Sequence, residues 1–130
     1  MIGLSDDQNV SRLVRHFHDL EVYKKAFSVS LDVHKASLEF PKIEQYALAS
    51  QIRKASKSIC ANIAEGFAKQ QSSKPEFKRF LLMALGSAHE MLVWVEYCKA
   101  LNYITEEQAV LWISEYQSIT RMIQSFHAKI

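Results

Sequence analysis

At 130 residues and a formal net charge of +2, the chain is long enough for one domain with a real core that needs neither disulfide nor metal. Its content is 48% hydrophobic with only three Gly and two Pro, too little punctuation for a multi-stranded sheet and suited to a few long helices with short connections. No stretch approaches the ~20 uninterrupted apolar residues of a membrane span, and the opening M-I-G-L-S-D-D-Q lacks the basic start and apolar run of a signal peptide, so a cytoplasmic protein with no membrane partner is expected.

In chain order, residues 1–16 carry mixed charge without a clear period and read as a partly flexible extension, which leaves 17–130 for the fold. From near Asp19 the residues Leu20, Tyr23, Phe27, Leu31, His34 and Leu38 recur at steps of three and four, predicting a first helix with that row as its apolar stripe. It stops at Phe40-Pro41, because the residue before proline is pushed out of the helical region, and Pro41 is read as the start of the second helix. That helix runs to about Gly66 or Ala68, with Leu48, Ile52, Ile59 and Ile63 on one line and Gln51, Ser58, Asn62 and Glu65 on a second line at the edge of burial.

The composition Q-Q-S-S-K-P is a turn, after which Ser73 and Glu76 form a capping box for the third helix. The inner stripe of that helix is Phe77, Leu81, Ala84, Leu85, Ala88, Met91, Leu92 and Val95. Asn102-Tyr103 marks the third turn, Thr105-Glu106-Glu107-Gln108 repeats the capping device, and Leu111, Trp112, Tyr116, Ile119, Ile123 and Phe126 line the fourth helix. Short connections force antiparallel neighbours, so the fold class is all-α, an up-down-up-down four-helix bundle.

Off the inner stripe of the third helix lie Leu82, Met83, Val93, Trp94, Tyr97 and Leu101, together with Gly86. A helix apolar most of the way round needs a second partner surface, which predicts a ring-like homo-oligomer with Leu82, Met83, Gly86, Val93, Trp94 and Tyr97 at the interface; the alternative is a wide core face in a single small bundle with some tolerated surface aromatics. Counting turns places Arg53, Glu90 and Glu115 at one height, where with Gln51, Ser58, Asn62, Glu65 and Ser87 they are expected to form a hydrogen-bonded network fixing register or subunit pairing.

Catalytic signatures are sparse. No Glu has a His three residues later, as a di-iron bundle requires, and there is no Gly-rich phosphate loop, G-x-S-x-G or C-x-x-C. His16 and His18 lack companion ligands, and Cys60 and Cys98 fall far out of level in an antiparallel hairpin, so neither a metal site nor a bridge between the thiols is expected. The residues therefore predict a non-enzyme without cofactors. Charge is uneven: residues 53 to 79 hold seven bases against Glu65 and Glu76, whereas residues 90 to 115 hold five acids against Lys99. The candidate nucleic-acid contacts are Lys54, Lys57, Lys69, Lys74, Lys78 and Arg79, repeated around an oligomer as a belt of positive potential for RNA or DNA. The competing reading is a protein-interaction scaffold in which these bases serve only solubility.

The strings F-H-D-L-E-V-Y-K-K-A from Phe17, F-P-x-x-E-x-Y-A-L from Phe40, Q-I-R-K-A from Gln51, S-I-C-A-N-I-A-E-G from Ser58 and G-S-A-H-E from Gly86 resemble a known family over residues 17 to 126. It is the four-helix-bundle family encoded by intervening sequences inside bacterial 23S ribosomal RNA genes. The resemblance implies a homopentamer with a central channel. Its relatives include accessory variability proteins of retroelements, which imply a reverse-transcriptase partner and a markedly basic surface; the pI of about 8.5 here is milder than theirs.

Overall fold

A computed structural model describes residues 15–130; the extension expected over 1–16 lies, for residues 1–14, outside the described residues. Four helices follow in order: α1 (Glu21–Ser37), α2 (Leu48–Ala68), α3 (Lys74–Ala100) and α4 (Glu106–Lys129). A 3-10 turn, Phe17–Asp19, precedes α1, and another, Lys42–Glu44, lies in the α1–α2 connection. The described residues contain no strand, and none of their helices is long and apolar enough to cross a membrane. Each helix packs on two neighbours, α1 and α3 both lying against α2 and α4, so α1 faces α3 and α2 faces α4 across the diagonals.

The core is drawn from the rows expected for three helices, with Leu48, Leu85, Leu92 and Phe126 of those rows half-buried at its edge. Ile52, Ile59 and Ile63 of α2, Phe77, Leu81, Ala84, Ala88, Met91 and Val95 of α3, and Trp112, Tyr116, Ile119 and Ile123 of α4 are buried. At the end formed by the α2–α3 turn and the C-terminus of α4, the rings of Phe67, Phe77 and Phe126 meet edge to face.

The face of α1 differs from expectation. Val22, Ala26, Val29, Ser30, Val33 and Ser37 are buried, while Phe27, Leu31 and Leu38 of the predicted stripe are exposed and Tyr23 and His34 half-buried. The helix turns its row of small and β-branched side chains inward, where it can approach α2 and α4 closely. Two serines are tolerated in that row because each hydroxyl donates to the carbonyl three residues back, Ser30 to Phe27 and Ser37 to His34, both at 2.7 Å. Ser56 and Thr120 are buried by the same device, donating to Arg53 and Gln117. On α4, Leu111 is likewise exposed rather than buried.

Two element boundaries also move. Pro41 opens only the short 3-10 turn, and α2 begins at Leu48 after Ala47, whose φ of −123° and ψ of −107° break the helical path. Ser73 caps α3 by accepting from the Glu76 amide, but the Glu76 carboxylate turns to Arg79 instead of back to the cap. Thr105 and Gln108 complete the full reciprocal box at α4. Between α3 and α4, Asn102 adopts φ 63°, the left-handed conformation that Asn tolerates better than most residues.

Candidate assembly and phosphate-binding surfaces

The polar residues of α2 divide between its two flanks. On the α3 side, the Ser58 and Ser87 hydroxyls lie 2.9 Å apart, and the Asn62 amide donates to Ser58 O at 2.9 Å and to Ser58 Oγ at 3.0 Å. This seam pins the register of α2 against α3. One turn beyond it, a Cβ on Gly66 would lie 2.9 Å from Phe80 Cβ and 3.0 Å from Phe77 Cδ1, so the helices close to a distance that only glycine admits.

On the α1 side, Arg53 donates from Nη1 to Ser37 Oγ at 2.7 Å and from Nη2 to Gln45 O at 3.0 Å. The Gln45 amide in turn donates to Ser37 O and Phe40 O. Glu44 accepts from the Leu48 amide and, at 2.8 Å, from the Tyr103 hydroxyl across the end of the bundle. Tyr103 stands against the buried Phe40, and its own pKa is raised, chiefly by donation to the Glu44 carboxylate. The connection is thus fastened at three points, yet it displays Ile43 at 84% and Tyr46 at 98% exposure.

The single layer expected of Arg53, Glu90 and Glu115 is not formed. Arg53 holds the connection, Glu90 accepts from Trp94 Nε1 at 2.9 Å on the outside of α3, and Glu115 of α4 pairs with Lys25 of α1 at 3.4 Å. Gln51 and Glu65 are exposed on α2. Sequence reasoning missed Ser37, Glu44, Gln45 and Tyr103; Glu44 and Tyr46 stand inside the string F-P-x-x-E-x-Y-A-L, but no period marks a non-helical turn.

The candidate phosphate contacts fall into two groups. Lys69, Lys74, Lys78 and Arg79 lie at the α2–α3 turn, whereas Lys57 sits twelve residues, about 18 Å, below Lys69 along the helix, with Lys54 lower still. Arg79 is occupied by Glu76 in a forked pair at 3.2 and 3.0 Å and lies over the Phe80 ring. The hydrogen bond between them holds the Glu76 carboxyl below its usual range and raises the guanidinium. Lys57 Nζ is 2.9 Å from His34 Nδ1, and its positive charge lowers the imidazole pKa below 6.5.

On α3, Leu82, Met83, Gly86, Val93 and Tyr97 are exposed and Trp94 is half-buried; a Cβ on Gly86 would meet nothing within 4 Å. Both thiols are buried. Burial pushes Cys60 up to about 11 and Cys98 up to about 12, so each stays protonated at neutral pH and is a poor nucleophile. Among the described residues no three His, Cys, Asp or Glu side chains come together as metal ligands; His16 and His18 are exposed, their rings 6.4 Å apart.

Fold and surfaces together define an all-helical bundle with a polar α2–α3 seam and an apolar outer face. The family model described as 23S rRNA-intervening sequence protein matches residues 18–125, and the chain belongs to that family. It is also similar to a crystal structure of a protein with unknown function from the S23 ribosomal protein family of Bacteroides thetaiotaomicron, at 26% identity and a TM-score of 0.71, covering 82% of this chain and 97% of that one. No curated protein matches.

Proposed function

We propose that the chain is a non-enzymatic bundle that assembles as a homopentamer and binds the phosphate backbone of RNA or DNA through the bases at its α2–α3 end. The observation that carries this reading is the outer face of α3, where Leu82, Met83, Val93, Tyr97 and Leu101 are all exposed. Covering that face with copies of the chain groups their charged ends. Lys69, Lys74 and Lys78 make no ion pair within the described residues, so their charge is available to an anion, and symmetry multiplies it around the ring. The pairing of Lys57 with His34 and of Arg79 with Glu76 favours a second reading, a scaffold for a protein partner such as a reverse transcriptase, without intrinsic nucleic-acid binding.

Light scattering of the full chain should give a mass several times the 15.0 kDa of one copy. Filter binding to duplex and single-stranded RNA should weaken steeply as salt rises. Replacing Lys69, Lys74 and Lys78 by Gln should flatten that dependence by roughly 0.7–0.9 in log–log slope for each phosphate no longer neutralised. Absence of binding at low salt by an assembled protein leaves the scaffold reading.

A further inference from the structure

We propose that the α1–α2 connection is the chain's assembly plug, with Ile43 and Tyr46 of one copy seated on the Val93–Tyr97–Leu101 ridge of a second copy. This rests on the self-association proposed above and names the contact that makes it. Three observations lead there.

The first is preorganisation. Most exposed apolar side chains in a connection are mobile, and ordering them on binding opposes association. Here Arg53 and Gln45 tie the turn to α1, Glu44 ties it to α2 and to Tyr103, and Phe40 roots it in the core. The backbone that carries Ile43 and Tyr46 is held by a frame already in place, and a tyrosine at the centre of a contact is a common energetic anchor.

The second is the existence of a receiving surface on the same chain. Val93, Tyr97 and Leu101 recur every four residues, forming a ridge about 12 Å long on the outside of α3, and all three are exposed. Plug and ridge are different patches, so their pairing is heterologous and passes from copy to copy until a ring closes. Their heights agree. Tyr103, two residues past Leu101, touches both Phe40 and Glu44, which puts the connection at the level of the last turns of α3. Rotation about an axis parallel to the helices leaves height unchanged, so copies related in that way can bring plug and ridge together.

The third is charge. Lys42 stands beside the plug and makes no ion pair within the described residues, and the exposed Glu96 stands beside the ridge. Lys99 lies two residues from Tyr97 and Leu101, on the opposite side of α3 from the ridge, and is paired with Glu106 at 3.2 Å. Lys42 and Glu96 thus complement one another across the contact, while the Glu44 carboxylate beside Ile43 is turned to the Leu48 amide and the Tyr103 hydroxyl.

The test uses the full chain at low micromolar concentration, with mass read by light scattering and helix content by circular dichroism. Tyr46→Ala and Ile43→Ser should leave helix content unchanged, since neither side chain supports the monomer, and should each weaken assembly by about tenfold or more. Lys42→Glu should weaken it too, and adding Glu96→Lys should restore it. Benzoylphenylalanine in place of Tyr46 should photocrosslink to the peptide carrying Val93 and Tyr97 of another copy. An assembled wild type with undiminished assembly in the Tyr46 and Ile43 variants, or a crosslink to another helix, overturns this contact alone. A wild type that stays monomeric overturns the self-association reading and the contact with it.

Discussion

Gly66 and Gly86 lie twenty residues apart and face opposite demands. A methyl at Gly66 collides with Phe77 and Phe80, so Gly66→Ala should destabilise the chain by roughly 1–3 kcal/mol in urea unfolding as α2 and α3 are forced apart. A methyl at Gly86 meets open space within one copy, so Gly86→Ala should stabilise an isolated copy by about 0.5–1 kcal/mol through helix propensity. If copies approach at Gly86, the same substitution lowers the mass by light scattering. At this scale spacing reveals some contacts and hides others. Ser58, Asn62 and Ser87 are readable because two regular helices place them on one seam. Tyr116 is readable only as core; its hydroxyl is buried without a partner among the described residues, and burial raises its pKa, which no period discloses.

Among elements, the least regular segment does the most fastening. Arg53→Met removes two charged hydrogen bonds from the α1–α2 connection and should destabilise the chain by on the order of 1.5–3 kcal/mol in thermal or urea unfolding. His34 adds a pH-dependent tie between α1 and α2. The Lys57 charge lowers its folded pKa below the unfolded 6.5, so its contribution is intact above 6.5 and lost as pH falls through the folded value. His34→Gln should therefore show a shallower loss of stability than wild type between about pH 7 and pH 5. The helices themselves are legible from three- and four-residue periods, caps and turns. The inward face of α1 is not, because ranking by size selects Tyr23, Phe27, Leu31 and Leu38, whereas close packing with self-satisfied serines selects Val22, Ala26, Val29, Ser30 and Val33. The connection resembles helix in sequence because Pro41 is a good first residue of one; the actual path depends on Gln45, Arg53 and Tyr103, which lie apart in sequence.

At the scale of the whole molecule, four antiparallel helices follow from composition and short turns, and that part of the architecture is plain in the sequence alone. The division of the bases into two groups is not, since a charge count over residues 53 to 79 ignores the length of α2. The apolar outer face of α3 is visible as surplus hydrophobicity, but the height of the α1–α2 turn beside the end of α3 emerges only when Phe40, Glu44 and Tyr103 meet in space. The buried thiols carry a different consequence. Cys60 lies by Ser30 and Tyr116 at the junction with α1 and α4, while Cys98 is fully enclosed near Glu44 at the plug end. A thiol-specific alkylating agent can reach either one only when its own neighbourhood breathes, so the two labelling rates act as separate clocks for opening at the middle and at one end of the bundle.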